Sequence, residues 1–274
     1  MLKTLVGAFK NKDIRKKIIY TLLILVVVRV GSLLPIPGVD TNYFSSLLSG
    51  INTGDLSYLS AFTGGSFERM SLFALSITPY ITSSIIMQLL TIAIPKLEEM
   101  QKEGEDGRKK IAAITRYVTI ALALIESIAM AVGFGRSGLI KGYQGFSTLH
   151  YIVSIIVVVA ALTAGSAMLM WLGERITDKG IGNGISFIIL IGIIARFPDA
   201  LIQEVVSRVA NKSGGLIMFI IEVVFLLLVI GAAILLVQGV RKIPVQYAKR
   251  IVGNKQYGGA RQYIPLKVNA AGVM

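Results

Sequence analysis

Apolar residues along this chain fall in long blocks, not at the period of two or 3.6 that marks a half-buried strand or an amphipathic helix. The first block, Ile18 to Leu34, is interrupted only by Thr21, Arg29 and Ser32 and ends at Pro35-Ile36-Pro37-Gly38. Its 17 positions, at about 1.5 Å of rise each, just cross a hydrocarbon core roughly 30 Å thick. A second block, Met70 to Ile94, is interrupted by Pro79 and closed by Pro95. Further blocks run over Tyr117–Phe134, Tyr151–Leu172, Ile185–Ala195 and Leu216–Val237, and Val268 to Met274 has the look of a seventh beginning. The fifth is short, its end blurred by Arg196, Pro198 and Asp199. The pattern predicts an all-α polytopic membrane protein with six spans and the start of a seventh.

Composition agrees. Apolar residues make up 54% of the 274 positions, charged residues only 16%, and mean hydropathy is +0.72; a soluble domain carries about 25% charge. The net charge of +13 would suit a nucleic-acid partner, but its placement argues for topology instead. Of the 28 Lys and Arg residues, 21 lie in segments 1–17, 95–116, 173–184 and 239–267, against six in 38–69, 135–150 and 196–215. That bias places the N-terminus and the basic loops in the cytoplasm. No small-residue cleavage site follows the first block, so it reads as a retained span and not a removed signal peptide. With no cysteine and the single histidine His150, disulfides and thiolate metal sites have no material. No phosphate-binding loop, zinc-protease helix or nucleophile elbow occurs, so no catalytic residue, metal or cofactor is expected.

Several residues within the spans invite a functional reading. Arg29, Glu126 and Glu222 are costly in lipid and face a bundle interior, water or an interfacial end. The second span carries Ser76, Thr78, Thr82, Ser83, Ser84, Gln88 and Thr91, with Ile77, Ile81 and Ile85 four apart. Small polar residues also serve as helix–helix glue, and an isoleucine row also serves packing. The piece from Leu56 to Phe62, running into Gly64-Gly65, is too short to span; it reads as a re-entrant segment sheltered by protein or as an interfacial helix. Segment 239–267 holds seven basic residues and no acid, which attracts anionic lipid and phosphate backbones, or simply fixes topology. A secondary transporter remains a rival, with Glu126 and Glu222 as its acidic candidates within the spans.

The stretches RVGSLLPIPGVD (Arg29–Asp40), FALSITPYITSSIIMQLL (Phe73–Leu90), KEGEDGRKKI (Lys102–Ile111), MWLGERITDKGIGNGIS (Met170–Ser186) and YAKR…IPLKVNAAGV resemble the SecY family, the central subunits of the bacterial protein-conducting channel. The resemblance runs from the first span to the last residue, in order. It implies two inverted five-helix halves around an hourglass pore. Here residues 1–17 correspond to a cytoplasmic amphipathic N-terminus, 18–198 to the first five-span half, and 199–274 to the sixth span, a docking loop and a seventh span begun.

By motif match, Ile77 and Ile81 with Ile185 and Ile189 correspond to the apolar pore ring. Positions i and i+4 share a helix face, and such a ring excludes ions by dewetting. Residues 56–67 match the plug, with Leu56, Leu59, Phe62, Gly64 and Gly65. Thr82, Gln88 and Glu126 match the lateral gate, with an acid at 126 where many relatives carry an amide. Arg241, Lys242, Lys249, Arg250, Lys255 and Arg261 match the surface that docks the ribosome or the SecA motor. The resemblance further implies SecE and SecG as companions, unfolded secretory polypeptides with a signal sequence as substrate, and the bacterial cytoplasmic membrane as location. The family has ten spans, so a chain ending at Met274 is expected to need its other half from elsewhere to form a sealed channel.

Overall fold

The computed structural model describes residues 10–42, 46, 63–135, 148–210, 215–245, 250–252, 255–257 and 262–267. Among these are seven helices of eight residues or more: α1 Lys12–Leu33, α2 Thr78–Ala93, α3 Pro95–Lys102, α4 Glu105–Phe134, α5 Thr148–Lys179, α6 Gly184–Ala210 and α7 Gly215–Gln238. Two small antiparallel sheets follow, β1 Val240–Val245 with β4 Gln262–Lys267, and β2 Arg250–Val252 with β3 Lys255–Tyr257. The chain forms two compact units, Met1–Pro198 and Asp199–Met274. Among the described residues, α4, α5, α6 to Ser207 and α7 are each long and apolar enough to cross a membrane, and the bent α2–α3 pair passes the same test jointly. The apolar run of α1 follows Lys16 and Lys17 and contains Arg29, so a window of that length there is more charged.

Helix ends follow from local chemistry. Asn11 caps α1, its side chain accepting from the Asp13 amide at 3.1 Å, which satisfies one of the first turn's orphan donors. At the other end Leu34 is extended (φ −79, ψ 110) because a residue before proline is driven out of the helical region. The same rule breaks the second span. Ile94, preceding Pro95, is extended (φ −110, ψ 112), and α2 and α3 meet at 101°. Gly104 (φ 85) then turns the chain into α4, and Gly107 lies so close to the Met100 carbonyl that a Cβ there would overlap it.

Three elements differ from the sequence pattern. The second span was expected from Met70, but the helix begins at Thr78. Met70 (φ 43) and Ser76 (φ 53) adopt left-handed conformations that no α-helix accommodates, and Pro79, lacking an amide hydrogen, is tolerated in a first turn and not further in. The charged stretch 95–116 is largely helical, and α6 runs through Pro198 to Ala210 instead of ending at Ala195. Proline removes one backbone bond there, while Ala200, Leu201, Gln203 and Glu204 favour helix.

The core of the first unit is built around the irregular segment 63–77, most of which is buried while Arg69 is exposed. Its backbone bonds to the end of α1, from the Leu72 amide to the Leu34 carbonyl (2.9 Å) and from the Ile36 amide to the Met70 carbonyl (3.1 Å). That pairing satisfies polar groups a buried loop otherwise strands. Glycines admit it: Gly31 of α1 faces the Phe73 ring and Gly165 of α5 faces the Leu72 carbonyl, each closer than a Cβ would permit. Helix α4 buries a small-residue stripe, Thr115, Thr119, Ala123, Ser127 and Ala131, of which Thr115 and Thr119 meet α2 and Ser127 meets α5. Such stripes let membrane helices pack where lipid offers no hydrophobic drive. In the second unit α7 is exposed along most of its length, with Ile217, Leu235 and Val237 among its most open residues and Phe219, Glu222 and Val223 half-buried.

Candidate functional site

The four isoleucines expected at a pore ring are not equivalent. Ile77, the residue capping α2, is buried, with 1% of its surface exposed. It shares an apolar cluster with Ile24, Leu25 and Val28 of α1, Phe73, Leu169, Leu172 and Ile176 of α5, and Ile188 of α6, against which Ile185 and Ile189 pack half-buried. Ile77, Ile185 and Ile189 therefore meet around one cluster at the starts of α2 and α6. Ile81, one turn further along α2, lies outside that cluster and is 37% exposed. The geometry thus presents two half-buried isoleucines and one open one beside a fully packed one.

The polar residues of α2 separate into two faces. Pro79, Ser83, Met87 and Thr91 form its buried stripe. The Ser83 hydroxyl lies 2.6 Å from that of Thr119 and 3.3 Å from the Thr115 carbonyl on α4, so this part of the wet stripe is interhelical packing. Thr82 and Gln88 are exposed on the other side. Glu126 is half-buried on α4 and lines an open, mainly apolar cavity of about 330 Å³ with Thr63, Phe67, Ala74, Leu75, Thr78, Ala129 and Met130. Of the three residues expected at a lateral gate, only Glu126 reaches this cavity; Thr82 and Gln88 do not line it. Between α4 and α5, Ser127 and Thr163 hydroxyls sit 2.8 Å apart and Arg116 Nε is 2.7 Å from Glu174.

Of the expected plug residues, Leu56, Leu59 and Phe62 lie outside the described residues. Gly64 (φ 63) and Gly65 (φ 84) are described and form a left-handed turn of the kind glycine adopts without strain. A Cβ on Gly64 would stand 2.7 Å from the Gly192 carbonyl of α6 and 2.9 Å from an Arg29 nitrogen; one on Gly65 would stand 2.6 Å from the Arg196 guanidinium. Arg196 in turn grips Glu68 with both terminal nitrogens, one of them at 3.0 Å from Oε1. Sequence reasoning missed this pair. The only hint was an arginine and an aspartate at the blurred end of an apolar block, 128 residues from its partner.

The basic segment expected as a loop is partly a hairpin. Arg241 and Lys242 are exposed on β1, opposite Leu266 and Pro265 of β4, while Arg250 and Lys255 lie on β2 and β3; Lys249 and Arg261 lie outside the described residues. The β-branched and aromatic residues Val240, Ile243, Val245, Tyr263 and Ile264 are of the types that favour strands. No group of three or more His, Asp or Glu close enough to hold a metal occurs among the described residues.

Packed apolar helices, a buried irregular segment entering a broken span and small-residue helix contacts define a multi-pass α-helical membrane protein. Its fold is similar to that of a protein-conducting channel (TM-score 0.57, 18% identity, covering 92% of this chain and 52% of that one). It is likewise similar to a SecY structure whose plug domain is described as stabilising the closed state of the translocation channel (TM-score 0.52, 18% identity, 94% of this chain and 54% of that one). The family model described as SecY matches residues 71–274. The protein translocase subunits SecY of Corynebacterium glutamicum and Streptomyces coelicolor are 42% and 44% identical over 100% of this chain. The chain belongs to the SecY family, and it spans 62% and 63% of the length of those two relatives.

Proposed function

We propose that this chain forms the first five-helix half, the sixth span and the cytoplasmic docking loop of a protein-conducting channel in the bacterial cytoplasmic membrane. The channel passes unfolded secretory polypeptides across the bilayer and releases hydrophobic segments sideways into lipid, without chemistry by this subunit. The observation that carries this reading is the convergence of Ile77, Ile185 and Ile189 on one apolar cluster at the starts of α2 and α6, in a chain of the SecY family. Branched side chains on two helices form a constriction that a peptide can part and that stays dry to ions at rest. Ile81 is the fourth ring member, open where the opposing half of a complete channel contributes its own wall.

In this reading residues 56–67 are the plug, hinged at Gly64-Gly65. Thr82 and Gln88, exposed on α2, and Glu126 in its cavity form this chain's side of the lateral gate. The N-terminus and segments 95–116, 173–184 and 239–267 face the cytoplasm. The exposed Arg241 and Lys242, with Lys249, Arg250, Lys255 and Arg261, dock the SecA motor or the ribosome; SecE and SecG complete the complex. The solute-transporter alternative is not favoured, since Glu126 stands with no second acid among the residues lining its cavity.

The test is transport by the complete complex in proteoliposomes. Addition of SecA and ATP is expected to protect a signal-bearing preprotein from external protease, while counterflow of small solutes stays at background and is unmoved by Glu126→Gln. Solute counterflow abolished by that substitution, with no preprotein protected, would reverse the assignment.

A further inference from the structure

We propose that Glu68 and Arg196 form a clasp that holds the Gly64-Gly65 turn against α6 in the resting protein and that must release before the turn can move. The proposal rests on the channel reading, which it deepens by naming an internal contact opposed to opening. Three observations carry it. The pair is bidentate, with both terminal nitrogens of Arg196 on the two oxygens of Glu68, the geometry in which an arginine–carboxylate contact is strongest and most directional. Both side chains are partly withdrawn from water, at 39% and 36% exposure, so screening weakens the pair less than it does an open surface pair.

The third observation is where the guanidinium lies. The same Arg196 group covers the backbone of Gly65, with Nη2 and Nε 2.6 Å and 2.8 Å from where a Cβ would stand. Gly64 meanwhile rests on the Gly192 carbonyl one turn earlier on α6. One arginine therefore pins the turn from both directions: it grips the carboxylate four residues after Gly64 and lies across Gly65. The backbone beyond is anchored separately, by the Leu72–Leu34 and Ile36–Met70 bonds. Segment 65–69 is thus the stretch whose attachment to α6 rests on side chains. Arg29 and Arg69 are within electrostatic reach of each other and Arg29 of Arg196, so removing Glu68 leaves arginines to repel one another and loosens the turn further.

The experiment uses the complete complex in cells and membranes, with two export reporters: one with an intact signal sequence and one with a weakened signal. Glu68→Ala and Arg196→Ala are each expected to raise export of the weakened reporter about fivefold, the ratio that corresponds to a coupling near the top of the range for partly exposed pairs. Intact-signal export is expected to stay unchanged. The reciprocal exchange, Glu68→Arg with Arg196→Glu, should return weakened-signal export towards the parent level. Because the chain has no cysteine, Glu68→Cys with Arg196→Cys provides a second arm. A short bis-maleimide joining the two is expected to stop intact-signal export, and each single cysteine with the same reagent is not. Intact-signal export at the parent rate through the joined protein, or single substitutions that leave weakened-signal export unmoved while the proteins accumulate normally, overturns the clasp. Failure of the parent complex to export either reporter overturns the channel reading instead.

Discussion

At the residue scale, the glycines of this chain have opposite tolerances that distance alone separates. Gly165 touches the Leu72 carbonyl, whereas Gly133 on α4 has no atom within 4 Å of a would-be Cβ. Gly165→Ala is expected to destabilise by about 1–3 kcal/mol, the usual cost of overpacking against a neighbour that cannot yield. Gly133→Ala should be neutral or gain up to about 1 kcal/mol from helix propensity. Thermal unfolding of the two variants in detergent, followed by tryptophan fluorescence, checks the contrast; equal midpoints would contradict it. Residue types gave only part of this away. Ile77 and Ile81 look alike in the sequence, both branched and four apart, yet one is packed and the other open. The difference arises because Ile77 lies at the junction with a buried irregular segment, which no local pattern announces. Glu68 and Arg196 were legible only as charges near span ends, since pairing across 128 residues leaves no mark on either neighbourhood.

At the element scale, the long apolar blocks Tyr117–Phe134, Tyr151–Leu172 and Leu216–Val237 each lie within one helix, α4, α5 and α7, because eighteen or more largely apolar residues have few other solutions. Boundaries were less legible. Helix α2 starts eight residues later than its apolar block, where Met70 and Ser76 turn left-handed, and a run of apolar residues reads the same whether helical or folded into a buried loop. Helix α3 and the first turns of α4 were hidden by charges that sit on exposed faces, and the β1–β4 hairpin by basic residues that dominate its composition. The α2–α4 contact is held in part by the Ser83–Thr119 hydroxyl pair. A double-mutant cycle with Ser83→Ala and Thr119→Val is expected to give a coupling of about 0.6 kcal/mol, the mean for hydrogen bonds between membrane helices. Additive effects would assign the contact to packing alone.

At the scale of the whole molecule, the charge asymmetry predicts one orientation. In otherwise cysteine-free protein, Thr148→Cys is expected to react with an impermeant maleimide in intact cells, and Lys109→Cys and Lys242→Cys only after the cytoplasmic face is opened. Labelling with the reverse pattern would invert the topology. Charge reversal at Arg241, Lys242, Lys249 and Arg250 together is expected to abolish co-sedimentation with ribosomes or SecA, and lesser binding by the parent at raised salt would show the same electrostatic origin. Binding that survives the reversal would move the dock elsewhere.

In the proposed channel a translocating polypeptide passes the isoleucines at the starts of α2 and α6. A photoreactive or thiol-reactive probe in a preprotein stalled within the complete complex reads this directly, with single cysteines at Ile81 or Ile189 in a chain that has none of its own. Adducts are expected at both positions and depend on a functional signal sequence, with none at Leu235, on the open face of α7. Clean absence of adducts at both Ile81 and Ile189, while the stalled chain is captured at other positions, would contradict it.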